Sequence, residues 1–302
     1  MSARAPDISI IMPTLACRER AGSLVRAIDT VVSQGGARGI PLVVVNGGGA
    51  APEVLEHLRR RADIRLTRLE EASLPAALRA GRAMVDTPYF AVLDDDDELL
   101  PAALQIRLEV LAEAPGADVA VTNGFLEGFG RRELNIADFG RIQADPLRML
   151  LVQHWLPPCA GLFRTSTVTA EFFEGMPQRE WTYLALRLAL SLKIGFAARP
   201  TFVYRTDTLG SLSKSRGYCL AGPAAIARML ELALPGDVRA VLRVRLASDL
   251  HAASSYELAA GNYRAAWRWH FKTLAQSSGW RHVPYTARLV VASAFGPPIG
   301  AP

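Results

Sequence analysis

The chain has 302 residues, half of them hydrophobic, with 34 basic and 29 acidic side chains and a formal net charge of +5. Such a composition can bury a large core, which excludes the disordered and fibrous classes, and the length fits one large α/β domain with an appendage or two ordinary domains. The three cysteines (Cys17, Cys159, Cys219) are odd in number and far apart, so neither a disulfide framework nor paired zinc-ligand spacing is expected, and a reducing compartment is.

From the N-terminus, residues 1–7 have neither the apolar core nor the cleavage site of an export signal, so no export by that route is expected. Short Val/Ile/Leu runs then alternate with segments of helical period, the pattern of βαβ units. Residues 8–12 read as a strand, a helix near 23–34 puts Leu24, Ile28 and Val31 on one face, and 42–45 read as the second strand. A helix through Val54, Leu55 and Leu58, a strand over 64–67 and a helix that Pro75 can open follow. Residues 89–93 form a near-continuous apolar run of the kind covered on both faces, and it stops at Asp94-Asp95-Asp96-Asp97. Pro101 opens a helix with Leu104, Leu108 and Leu111 inward, 119–122 form the next strand, and the parallel half of the sheet ends about there. Residues 123–160, rich in Gly, Asn, Arg and Pro, predict irregular strands and a loop over the sheet's carboxyl edge, suited to covering a substrate. A short helix near Thr165, a longer one over about 180–192, and strands over 194–198 and 202–205 come next. Beyond Ser215 the chain reads as mostly helical to about Gln276, with Gly261-Asn262 as a helix–helix turn. No stretch reaches the roughly 20 apolar residues of a bilayer-spanning helix, so a soluble or peripheral protein is expected.

The charge is unevenly spread. Residues 217–302 hold nine Lys/Arg against four Asp/Glu, a surplus of five that equals the whole net charge, and three of the five tryptophans (Trp267, Trp269, Trp280). Basic side chains beside Trp and Tyr suit an anionic membrane surface; a helical bundle with solvated arginines and an aromatic core accounts for them as well.

The acidic run is the strongest local signal. Adjacent carboxylates at the end of a buried strand repel one another, and a divalent cation between them and an anionic ligand offsets that repulsion. Oxygen-only ligands favour magnesium or manganese, and in an open α/β sheet ligands lie outside the carboxyl ends of the strands. The alternative is a solvated turn whose last acids cap the helix at Pro101.

Pro13-Thr14-Leu15-Ala16-Cys17-Arg18 after the first strand, Leu24, Ala27-Ile28 and Gln34, then Val43-Val44-Val45-Asn46-Gly47-Gly48 and Val92-Leu93 before the aspartates, resemble the family 2 glycosyltransferases of the GT-A fold. Later segments continue the likeness: Pro157 to Arg164, Arg179-Glu180-Trp181 with Leu186-Arg187-Leu188, and Tyr204-Arg205 with Ser211-Leu212-Ser213. The resemblance spans about residues 7–215. It implies an α/β, Rossmann-like, mostly parallel sheet flanked by helices over residues 1–215, with a helical C-terminal appendage over 216–302.

Carried over residue by residue, the resemblance implies that Asp96 is the metal-binding carboxylate of an Asp-x-Asp motif, assisted by Asp97. Asp94 would face the ribose or the metal's waters, with Asp95 also on the substrate side. Pro13, Thr14 and Arg18 would line the nucleotide pocket and Asn46 would meet the base, although Arg20 competes with Arg18 and Asn46 also suits a turn before Gly47-Gly48. Glu180 would be the general base that removes the acceptor hydroxyl's proton, with Glu171 and Glu174 as rivals; a Glu in a first helical turn is also common for structural reasons. Several positions depart from the family pattern. Asn46 stands for a usual Asp, Arg79 for a frequent Asn, Arg179 for the first acid of a pair, and Asp207 lies near a common metal-binding His, so Asp207 or water would complete the metal's ligands.

The resemblance thus implies an inverting transferase using Mg2+ or Mn2+. It would move a sugar from a nucleoside-diphosphate sugar to a glycan or lipid-linked hydroxyl in cell-envelope polysaccharide or glycoconjugate synthesis. No nucleic-acid partner is expected, and the location implied is cytoplasmic, peripheral at the inner face of the plasma membrane if the basic aromatic tail binds lipid. The rival of a different class is a catalytically inactive GT-A-like protein that binds a nucleotide-sugar or a partner. A pyrophosphorylase would need a Gly-rich loop after the first strand, a dinucleotide oxidoreductase a G-x-G-x-x-G spacing, and an Asp-nucleophile phosphatase its acids after the first strand; none is present.

Overall fold

A computed structural model describes residues 7–176, 178–208 and 215–295; Ser211-Leu212-Ser213 of the closing motif lies outside them. The chain divides into two compact units, Met1–Met176 with Leu184–Leu209, and Pro177–Tyr183 with Gly210–Pro302.

In chain order the elements up to residue 205 are β1 (Ile8–Thr14), α1 (Ala21–Val32), β2 (Gly39–Asn46), α2 (Pro52–Arg60), β3 (Arg65–Leu69), α3 (Leu74–Ala83), β4 (Tyr89–Val92), β5 (Glu98–Leu99), α4 (Ala103–Glu113), β6 (Val119–Gly128), β7 (Arg131–Leu134), α5 (Phe139–Ala144), α6 (Pro146–Met149), β8 (Gly161–Arg164), α7 (Glu180–Ser191) and β9 (Ile194–Arg205). The first unit is built on one nine-stranded sheet in the order β3-β2-β1-β4-β8-β6-β9-β5, with β7 paired to β6. β3, β2, β1 and β4 run parallel. β8 is antiparallel to both its neighbours, and β9 returns parallel to β6.

β1 is buried along its whole length because parallel neighbours flank it on both sides. Helix α3 comes close enough to cover it because Gly81 has no Cβ; one added there would collide with Ile11 Cγ2. From β1 the chain winds outward through β2 and β3, then crosses back to β4 on β1's other side. The strand order therefore reverses between β1 and β4, and the crevice beyond their carboxyl ends is where such sheets bind ligands. The acidic run follows β4 directly into it.

Four local expectations are corrected. Helix α4 begins at Ala103, after Ala102 in the left-handed region (φ +59°) with no side-chain cap, so Pro101 stays in a turn and the aspartates cap no helix. Residues 194–205 form one strand rather than two: Pro200 cannot donate to the ladder, and register shifts against β6 at Asn123 absorb it. Residues 123–160 are more regular than expected, because β6 runs on to Gly128 between β9 and β7, and α5 and α6 follow. The short helix near Thr165 is a 3₁₀ turn at Ala170–Phe173.

The second unit holds α8 (Arg216–Leu230), α9 (Gly236–Ala259), α10 (Tyr263–Leu274) and α11 (Tyr285–Phe295), so helix continues beyond Gln276. Gly261 at φ +75° makes the expected turn between α9 and α10. Leu258, Ala266, Leu289 and Ala292 form a buried cluster, with Tyr263, Trp267 and Tyr285 packed on it. Among the described residues, no helix is long and apolar enough to cross a membrane.

Candidate functional site

The site is assembled where β1 and β4 end. Thr14, the last residue of β1, donates its hydroxyl proton to Asp95 Oδ2 at 2.6 Å. Arg20 Nη1 donates to Asp95 Oδ1, and its Nη2 lies 3.6 Å from Asp96 Oδ2. Burial raises the Asp95 carboxyl, and Arg20 and Thr14 oppose that rise. Both oxygens of Asp95 are thereby occupied by the protein itself.

The other three aspartates gather: Asp94, Asp96 and Asp97 each offer an oxygen within 4.8 Å of the others. Asp97 is buried, its Oδ1 accepts from the Arg205 backbone N–H at 2.9 Å, and its Oδ2 is buried with no hydrogen-bond partner. Burial, then Asp94 and Asp96, push the Asp97 carboxyl well above the usual carboxylate range. The same charges reach its neighbours, so that burial and Asp97 raise the Cys159 thiol, and burial and the aspartates raise the Tyr204 phenol. A site of oxygen donors only, with mutual repulsion and one orphaned buried oxygen, fits a hard divalent cation of the magnesium or manganese type.

Asp96 opens onto a cavity of about 510 Å³, lined also by Arg20, Ser23, Arg26, Arg205 and Asp207. Its size suits a small-molecule ligand. Arg205 is braced by Glu98 at 2.8 Å and Glu127 at 2.6 Å. Deeper in the core, Arg107 is fully buried and donates to the carbonyls of Cys159 and Gly161 and to the hydroxyls of Thr122 and Thr201. Burial draws its pKa down to about 10, so it remains charged at neutral pH.

Of the residues named from sequence, the structure brings Thr14, Asp94, Asp95, Asp96 and Asp97 together, with Pro13 buried in β1 beside them. It does not bring Arg18: that side chain is 79% exposed and pairs with Glu53 at 2.6 Å, and Arg20 takes the place beside the acids. Asn46, at the end of β2, accepts from the Ser73 N–H at 2.7 Å, so its oxygen holds the start of α3. Arg79 is exposed on α3. Asp207 lines the cavity with Asp96 but stands outside the three-carboxylate group, its Oδ2 accepting from the Phe129 N–H at 3.0 Å. Sequence reasoning missed Arg26, Ser23 and the buried Arg107, whose letters carry no motif; Arg20 was visible as the rival of Arg18, two residues away.

Glu180 is the first residue of α7, after Arg179 in the left-handed region at φ +68°. Its side chain is 5% exposed, and burial raises its carboxyl while the backbone N–H groups of Glu180 and Arg179 pull it down. The rival acids Glu171 and Glu174 are exposed. Within the same unit Arg179 pairs with Asp249 at 2.7 Å, so it does not act as a substitute acid.

A family model described as Glycosyl transferase family 2 matches residues 9–167. Among solved structures, residues 1–349 of TarS from S. aureus, in complex with UDP-GlcNAc, align with a TM-score of 0.57 at 12% identity, covering 96% of this chain and 88% of that one. The mannosyltransferase PcManGT from Pyrobaculum calidifontis, in complex with GDP-Man and Mn2+, aligns with a TM-score of 0.53 at 15% identity, covering 97% and 88%. At such identities the likeness shows a shared fold. No curated protein sequence matches the chain.

Proposed function

Because the chain belongs to glycosyl transferase family 2, and is a glycosyltransferase of the GT-A fold, we propose that it transfers a sugar from a nucleoside-diphosphate sugar to a hydroxyl acceptor with inversion at the anomeric carbon. The observation that carries this reading is the acidic turn at the β1/β4 switch point, where Asp94, Asp96 and Asp97 converge, Asp97 keeps a buried oxygen unpartnered, and Asp96 borders a cavity of nucleotide size. The nucleotide-sugars bound by the fold neighbours, and the Mn2+ bound by one of them, support it.

In this reading Asp96 and Asp97 hold a magnesium or manganese ion, with Asp94 toward its waters or the ribose. A bound divalent ion supplies charge stabilisation to the departing diphosphate. Thr14 and Arg20 fix Asp95 and so set the turn, while Asn46 and Arg79 flank the nucleotide side and Asp207 remains a candidate further ligand. Glu180 takes the proton of the acceptor hydroxyl as that oxygen bonds to the anomeric carbon and the bond from that carbon to the diphosphate oxygen breaks; one displacement leaves the configuration inverted. Burial suits Glu180 to this task, since its raised pKa makes the carboxylate a stronger base.

We assign the catalytic unit to residues 1–215 and the helical region to 216–302, with a glycan or lipid-linked acceptor of the cell envelope and a site of action at the cytoplasmic membrane surface. The last part rests on the helical region, where no acidic residue follows Glu257 and Phe271, Trp280, Val290 and Val291 stand exposed.

The test is a panel of nucleotide-sugars in thermal melts with and without manganese. The matching donor, at about 100-fold over its Kd, raises the melting temperature by on the order of 5 °C only when metal is present, and NMR of the product reads the anomeric configuration. No metal-dependent stabilisation by any donor rejects the reading.

A further inference from the structure

Helix α7 opens against local preference. Arg179 precedes it, and the Arg179 carbonyl accepts an opening bond of the helix from the Tyr183 N–H at 3.4 Å. An arginine side chain has no acceptor with which to cap a helix, and its φ of +68° lies in the left-handed region, which a long side chain enters only against steric resistance. The side chain shows what holds it there. Its guanidinium donates from Nη1 to Asp249 Oδ2 of α9 at 2.7 Å and stands over the Tyr218 ring of α8, 6.0 Å from the ring centre. Helix α8 also makes room for the pair. A Cβ on Gly222 would collide with Asp249 Oδ2 and Arg179 Nη2, so the two side chains meet against this turn of α8 because it carries a glycine, although glycine weakens a helix interior. All of these residues belong to the helical unit, which takes in Pro177–Tyr183 together with Gly210–Pro302.

Glu180 follows at once, and it is buried. Burial acts most strongly on its carboxyl, followed by the backbone N–H groups of Glu180 and Arg179, so Arg179 reaches the carboxylate through its main chain while its guanidinium is directed at Asp249. Strained backbone kept by its surroundings concentrates at functional sites. We propose that Asp249 is a positioning residue: seated against Gly222, it holds the Arg179 guanidinium, keeps the Arg179 backbone in the left-handed region and thereby fixes Glu180 at the start of α7. The inference rests on the transferase reading, in which Glu180 is the base, and it gives α8 and α9 a part in the chemistry. A base that must meet an acceptor hydroxyl at hydrogen-bond range depends on its carboxylate being held in place.

The test follows Glu180 itself in the native protein, Gly222→Ala and Asp249→Asn. Each is isotope-labelled at the glutamate carboxyls, and the NMR resonance missing from Glu180→Gln identifies Glu180. In the native protein that carboxyl titrates with a midpoint above 4.5. In both variants its turn loosens and it gains water, so the midpoint falls toward 4.5 by about 0.5, about a threefold loss of proton affinity. Gly222→Ala separates positioning from folding, because the added methyl favours the helix and displaces the flexible ends of the two side chains. It melts within about 3 °C of the native protein, or above it. A native midpoint at 4.5, an unmoved or raised midpoint in either variant, or a fall in Gly222→Ala that comes with melting below that margin each overturns the proposal. The base reading is tested apart: unchanged turnover in Glu180→Gln rejects it, while a lowered midpoint in Gly222→Ala still marks the hold of Asp249 on Glu180.

Discussion

Asp95 and Asp97 occupy the same turn and are both buried, yet the protein treats them oppositely. Thr14 and Arg20 consume both oxygens of Asp95, whereas Asp97 keeps one oxygen without a partner. An unpaired buried acceptor costs roughly 1–3 kcal/mol, a deficit that a bound cation removes. In the sequence the run is four identical letters, and only the turn they form, closed by the Asp97 N–H donating to the Asp94 carbonyl at 3.2 Å, separates the buried pair, Asp95 and Asp97, from the half-buried Asp94 and Asp96. The arginine was misplaced by two residues because Arg18 and Arg20 offer the same chemistry in one short loop, and only the fold shows that Glu53 claims the first.

Glu180 yields a prediction at the same scale. Its folded pKa is raised above the ordinary 4.5 by burial. The stabilisation belongs to the protonated form, is complete below 4.5, and is lost as pH rises through the folded value. At pH 7 Glu180→Gln therefore melts at or above the native temperature, binds donor normally, and transfers on the order of 10² to 10⁴ times more slowly. The native rate rises with pH through an inflection above 4.5. Unchanged turnover in Glu180→Gln moves the base to another residue.

At the scale of elements, α3 gives the sharpest case. Gly to Ala within a helix ordinarily stabilises by about 0.5–1 kcal/mol. At Gly81 the added methyl meets Ile11 of the central strand β1, which has hydrogen-bonded neighbours on both sides and no room to yield. Overpacking wins, and Gly81→Ala is expected to destabilise by about 1–3 kcal/mol in denaturant midpoint; a gain in stability would show that α3 slides freely on β1. Helices and strands with clear period were legible in the sequence, from β1 through α4, because apolar spacing fixes which face is buried. β5 and the continuous β9 were not. A two-residue strand has no period, and Pro200 reads as a break unless β6 is there to take up the shift.

For the whole molecule, the order of βαβ units was readable, and with it the expectation that the acidic run falls at the carboxyl edge. The insertion of antiparallel β8 between β4 and β6 was not, since the partners are separated by long stretches of chain. The charge division was visible in composition alone. From residue 258 onward the sequence has five Lys/Arg and no Asp or Glu, and the described part of that stretch exposes Phe271 (61%) and Trp280 (68%). Vesicles containing anionic lipid should retain the protein at low salt and release it as salt rises; no retention at any salt leaves this surface simply solvated. The topology, the three carboxylates and the cavity converge on one claim, that the turn after β4 holds a cation which holds the donor's diphosphate. Calorimetric titration of a nucleoside diphosphate into the native protein and into Asp96→Ala, each with and without manganese, tests it most directly. Manganese should tighten binding to the native protein by tenfold or more, about 1.4 kcal/mol, and should do nothing for Asp96→Ala; equal affinity with and without metal in both proteins would contradict the account.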